Sequence, residues 1–200
     1  MKTINNILKA DRKIITEAHR SFQTSATILN YLDIIAQRLG KMAAATNQTI
    51  SIEIIEPNVA LAVMYSKPVN FNVVGAETST GNLSLGFQDT DNATVLASAK
   101  IPKETFQNKS QIVYTFLFRN DILFQTGRQL EEAFEAGKLL QSLISSKILA
   151  ISVGKEKVEN LTFPVLFVFK KTKKNFPKES QIVDNLCTFW DPNKRKCNLN

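Results

Sequence analysis

The chain has 200 residues, of which 44% are hydrophobic, and it carries a formal charge of +7. That length supports one domain, or one small and one medium unit, with a sizeable core, and the composition excludes wholesale disorder. No stretch approaches the roughly eighteen uninterrupted apolar residues of a membrane span.

The opening residues Met1-Lys2-Thr3-Ile4-Asn5-Asn6 lack the apolar run of a signal peptide, because Asp11, Arg12 and Lys13 interrupt it. Taken alone, that start places the chain in the cytosol. Helix is expected over the first part, from about residue 4 to residue 46. A short helix uses Ile4, Ile7, Leu8, Ile14, Ile15 and Ala18. A longer one carries Ile28, Leu32, Ile35, Leu39 and Met42 at alternating four- and three-residue spacing, one apolar stripe. Thr24 or Ser25 can cap its start, since a side-chain oxygen there accepts an orphan backbone N–H. Both stripes read as buried faces rather than cofactor sites.

After Asn47 the period changes from helical to alternating. Ile50, Ile52 and Ile54 alternate with polar residues, followed by Val59, Leu61, Val63 and Tyr65, then Val69, Phe71 and Val73. Glu56-Pro57-Asn58 and Ser66-Lys67-Pro68 mark the turns between them. Val95 to Ile101, Ile112 to Phe118 and Ile148 to Val153 continue the pattern. Leu161 to Phe169 reads as a nearly continuous apolar strand, and hence as a central one. A helix-like stretch, Leu130, Phe134, Leu140 and Ile144, interrupts the strands, although Gly127 and Gly137 weaken it. The expected class is α+β, with N-terminal helices packed on an antiparallel β-sandwich.

The excess positive charge lies late, in Lys170, Lys171, Lys173, Lys174 and Lys178, then Lys194, Arg195 and Lys196. No recognition motif or interleaved aromatics accompany it, so a solvated basic loop is expected and nucleic acid is not. Five Asn-x-Ser/Thr sequons occur, at Asn47, Asn82, Asn92, Asn108 and Asn160. Chance alone gives roughly two in such a composition, so they favour a secretory-pathway protein whose start lies upstream.

Catalytic chemistry finds little support. The single histidine, His19, lies at the end of the first helix, far in sequence from both cysteines, and no nucleophile turn is near it. One His and two Cys match no zinc spacing, and seven glycines form no phosphate loop. Glu131, Glu132 and Glu135 form an acidic helix face. No enzyme, metal or cofactor is expected.

The tail is the most specific part of the chain. Cys187-Thr188-Phe189-Trp190-Asp191 holds the only tryptophan and one of the two cysteines. Cys187 and Cys197 could close on each other across the Asp191-Pro192-Asn193 turn, stabilising by about 3 kcal/mol or less. Alternatively, each awaits another partner.

With Leu161-Thr162-Phe163-Pro164-Val165 before it, the Cys-Thr-Phe-Trp-Asp element resembles the end of the autoproteolysis-inducing (GAIN) domain of adhesion G protein-coupled receptors, where the proteolysis site (GPS) motif begins. The strand Val95 to Ile101 followed by Pro102, and Val113-Tyr114-Thr115-Phe116 leading to Leu123-Phe124, are also similar, and within the family the likeness points to subfamily G. The resemblance implies a helical subdomain ending at residues 1–46, a β-sandwich over 47–186 and the opening of the GPS motif over 187–200. Cys187, Phe189, Trp190 and Cys197 would be the structural residues of that motif, the early cysteines pairing with later ones. It further implies a glycosylated extracellular module at the plasma membrane, passing ligand or mechanical input to a seven-helix region and its G protein. The second tryptophan usual in the motif, the cleavage tripeptide and the membrane helices are absent from this sequence, so an incomplete receptor sequence is expected. A secreted β-sandwich adhesion module and a polycystin-like membrane protein fragment are the alternatives.

Overall fold

The computed structural model describes residues 1–10, 14, 18, 24–46, 51–87, 93–120, 123–124, 146–154, 161–170, 188–191 and 196–199. Helices α1 (Lys2–Ile7) and α2 (Thr24–Ala45) come first. Strands follow as β1 (Ser51–Ile55), β2 (Val59–Ser66), β3 (Phe71–Glu77), β4 (Leu83–Gly86), β5 (Thr94–Ile101), β6 (Gln111–Phe118), β7 (Ile148–Val153), β8 (Leu166–Phe169), β9 (Thr188–Asp191) and β10 (Lys196–Leu199). A 3-10 turn, Lys103–Phe106, joins β5 to the approach of β6. The α+β expectation holds.

Two four-stranded sheets are built from these strands, one ordered β1-β2-β6-β7 and the other β4-β3-β5-β8, with β9 and β10 forming a separate hairpin. All of the strand pairs are antiparallel. Three layers result: helices, then the β2–β6 sheet, then the β3–β5 sheet. The inner sheet is covered on both faces. Val59, Leu61 and Val63 of β2, with Tyr114, Phe116 and Phe118 of β6, pack against Ile4, Leu8, Ile28, Leu32 and Ala36. The alternate residues, Ala60, Ala62 and Leu117, pack against Val73, Leu85, Leu96, Ala97 and Ala99 of the other sheet. Burial on both sides explains why β2 reads Val-Ala-Leu-Ala-Val-Met with no polar residue until its end.

Helix α2 keeps most of the expected stripe and extends it. Ile28 and Leu32 are buried and Ile35 and Leu39 pack half-buried against the same core, as expected, but the buried positions continue through Ala36, Gly40 and Ala43, while Met42 is 63% exposed. Four-residue steps rotate slowly around a helix of 3.6 residues per turn, so the line moves onto small residues. Those small residues let the backbone approach the sheet. A Cβ added at Gly40 would collide with the Cγ2 of Ile112 on β6. The side chains of Thr24 and Ser25, Ile15 of the first expected helix and all of the helix-like stretch at 130–144 lie outside the description; the first helix itself is interrupted, since α1 ends at Ile7 and a turn over residues 8–10 precedes the helical Ile14 and Ala18.

The expected central strand at 161–169 is also corrected. Only Leu166–Phe169 is strand, paired to β5 with Ala97 opposite Phe169 and Lys100 opposite Leu166, at the edge of its sheet. Its apolarity comes from a surface, not from burial. Strand β4, short and preceded by the Thr78–Gly81 turn, escaped the alternation pattern because only Leu83 and Leu85 carry it.

Local polar contacts tie the layers at one end. The buried Asn5 of α1 accepts hydrogen bonds from the backbone N–H and the Nδ2 of Asn58, at 3.0 and 3.2 Å. Arg119, just after β6, pairs with Glu77 of β3 at 3.0 Å and donates to the Gly81 carbonyl at 2.6 Å.

Candidate functional site

The C-terminal hairpin is the first candidate. β9 and β10 run antiparallel in a four-residue register: Thr188 opposite Leu199, Phe189 opposite Asn198, Trp190 opposite Cys197 and Asp191 opposite Lys196. Three of the four residues expected from the tail motif, Phe189, Trp190 and Cys197, thus come together in one ladder. Cys187 lies outside the described residues, and so do His19, Glu131, Glu132 and Glu135.

The second candidate is the open edge at β8. Phe163, Leu166, Phe167, Val168 and Phe169 are all exposed, Phe163 by 62% and Val168 by 54%. The Phe167 and Phe169 rings stack with centroids 6.2 Å apart and planes within 6°. Lys170 continues the ladder by donating its N–H to the Leu96 carbonyl, and β5 is the one strand paired to β8 among the described residues. Five large apolar side chains on one exposed edge form a surface suited to being covered.

A third feature went unread in the sequence. Asp33 of α2 reaches Tyr114 of β6, whose phenol also hydrogen-bonds with Ser152 of β7 and Gln37 of α2. Burial raises the Asp33 carboxyl above its ordinary range, and the Tyr114 hydrogen bond partly opposes this. Burial likewise raises the Tyr114 phenol, with the nearby Asp33 charge adding to it. The phenol therefore stays protonated and can donate to the carboxylate. A cleft of about 230 Å³ opens beside it, lined by Gln37, Lys41, Tyr65, Gln111, Ile112 and Tyr114. A residue-type motif would not reveal this network, because its members are far apart in sequence.

Of the five sequons, Asn82 and Asn108 are described, both exposed. Asn82 sits in the β3–β4 turn and Asn108 follows the 3-10 turn with φ of 59°. Asn47, Asn92 and Asn160 lie outside the described residues. Among the described residues, no group of three His, Cys, Asp or Glu could hold a metal ion. No described helix is long and apolar enough to cross a membrane.

Comparison with known proteins gives two findings. A family model described as GAIN subdomain B, of the GPS family, matches residues 58–199. The fold is similar to the full extracellular region of zebrafish Gpr126/Adgrg6, at 20% identity and a TM-score of 0.68, covering 98% of this chain and 24% of that one. This chain thus spans about a quarter of that region's length. No curated protein matches the sequence.

Proposed function

The chain belongs to the GAIN subdomain B family, and from that premise we propose that it is an extracellular juxtamembrane module of an adhesion-type receptor. In this reading it passes ligand or mechanical input to a seven-helix region and a G protein, and it has no enzymatic turnover of its own. The observation that carries the proposal is the order of parts: helices, two stacked antiparallel sheets, then a Phe-Trp/Cys hairpin, with the family match running from β2 through β10.

The division into parts belongs to the same proposal. Residues 1–46 are the end of a helical subdomain, 47–186 the β-sandwich and 187–200 the opening of the GPS motif. The break after α2 at Ala45 and the start of β9 at Thr188 support these limits. Cys187, Phe189, Trp190 and Cys197 are the structural residues of that motif. Cys187 and Cys197 take partners other than each other.

Surface labelling tests the reading. The parent protein, tagged in the exposed Thr78–Gly81 turn, should react with a membrane-impermeant reagent on intact cells. Deleting residues 188–199 should change the basal output of a G-protein reporter at equal surface expression. Tagged protein found only in the medium would favour a secreted adhesion module instead. An unchanged reporter would remove the receptor coupling.

A further inference from the structure

One end of the sandwich is built from the close of β2 and β5 and the start of β3 and β6. Met64, Phe71, Phe106, Val113 and Val153 meet in one cluster there, and the Phe71 and Phe106 rings pack edge to face at 5.8 Å. Five exposed lysines surround this cluster, and they come from all three layers. Lys67 follows Ser66, which opposes Gln111, and Lys109 precedes that same Gln111 by two positions. Lys100 stands opposite Asn72 and Leu166 near the close of β5, and Lys103 opens the 3-10 turn. Lys41 of α2 belongs to the same end, since it lines the cleft together with Tyr65, Ser110 and Gln111.

Little negative charge answers them. Glu104 is the one carboxylate at that end among the described residues, and its Oε2 is buried. Asp33 lies two turns of α2 from Lys41, about 12 Å, and Glu53 opposes Ala62, well back along β2. Glu56 and Glu77 belong to the opposite end, where Glu77 pairs with Arg119. The backbone under two of the lysines is also held in place. The Lys103 N–H donates to Asn70 Oδ1 at 2.8 Å, the Thr105 hydroxyl to the Pro102 carbonyl at 2.8 Å, and the Lys109 N–H to the carbonyl of the fully buried Phe106 at 3.0 Å. Like charges gathered on a fixed backbone repel one another, and a bound polyanion relieves that repulsion while releasing its own counterions. Ordering in advance lowers the entropic cost of binding.

We propose that this end of the sandwich is a docking surface for a sulfated polysaccharide. Lys67 and Lys109 extend from one sheet and Lys100 and Lys103 from the other. Stacked sheets lie about 10 Å apart, so a single small anion does not reach across them, whereas an extended chain with sulfates at intervals does. The cleft of about 230 Å³ beside Lys41 adds the neutral donors Gln37, Ser110 and Gln111. A single-stranded nucleic acid would call for aromatic faces free to stack on bases. Here Phe71, Phe87 and Phe106 are packed edge to face on one another instead. The proposal rests on the extracellular reading, which places the surface among sulfated polysaccharides.

Binding of a fluorescent heparin octasaccharide to the full chain tests it. Lys67→Gln, Lys100→Gln, Lys103→Gln and Lys109→Gln together should weaken binding by about tenfold or more and lower the slope of log Kd against log salt by about 3. Arginine at the same four positions should keep it. Lys170→Gln, Lys171→Gln, Lys173→Gln and Lys174→Gln remove the same charge elsewhere and should shift Kd by less than about twofold. Thermal midpoints of both quadruple variants check that they fold. Equal losses from the two variants, or a loss from the second alone, overturn the proposal. So does unsulfated hyaluronan competing as well as the octasaccharide, or single-stranded DNA binding as tightly through the same lysines. If the parent labels at the cell surface yet the first variant binds like the unaltered chain, the docking surface alone fails. If those lysines govern binding but the parent never reaches the surface, the extracellular reading fails and the preference for sulfate stands.

Discussion

Gly40 shows how a single residue can set the distance between two layers. Its missing side chain lets α2 lie directly on Ile112, and Ile112 meets it with its branched Cβ, which cannot swing away. Gly40→Ala should destabilise the fold by about 1–3 kcal/mol, despite the better helix propensity of alanine; denaturant midpoints at constant slope will measure it. Asp33 gives a second test. Its folded pKa is raised by burial, so its contribution is greatest below the unfolded value and is lost as pH rises through the folded value. Asp33→Asn should therefore gain stability relative to the parent chain between about pH 3.5 and pH 7. Equal differences at both pH values would refute the burial argument. Neither residue was legible in the sequence. Their roles come from β6, seventy and more residues further along.

At the scale of elements, periodicity located most strands within one or two residues, because β2, β5 and β6 bury at least one face and β1 and β7 half-bury one. It failed where apolar character and burial part company. The run at 161–169 reads as core, yet it ends in β8, at an edge with its side chains in water. Hydropathy measures what a side chain prefers, not where the topology leaves it. Phe167→Lys should then change stability by no more than about 0.5 kcal/mol, while lowering dye binding and concentration-dependent association; sedimentation velocity reads the latter. A loss of several kcal/mol would mean that β8 is buried after all. For the tail, the proposal that Cys187 and Cys197 take partners other than each other predicts that the 200-residue chain presents two alkylatable thiols after denaturation without reductant. A blocked pair within one chain would restore the short Cys187–Cys197 loop. The tail motif itself was legible, since Trp190 and the cysteines are rare enough to be informative by presence alone.

Across the whole molecule, the alternating strands and leading helices were enough to anticipate the class, whereas the three-layer arrangement, with β2 and β6 covered on both faces, emerged only in the structure. What the sequence could not convey is which sheet lies between the other two layers, since that depends on pairings such as Val59 with Phe118 across more than fifty residues. Leu61→Ala should cost about 2–5 kcal/mol and lower the helical and sheet signals in a single thermal transition. Two separated transitions would show that the layers melt independently. The doubly covered inner sheet has one more consequence. The amides of Val59 to Val63 have no local route to water, because opening either neighbouring layer leaves the other in place. Their hydrogen exchange should be the slowest in the chain, proceeding only through global unfolding, while the amides along β8 trade their protons with solvent through fraying.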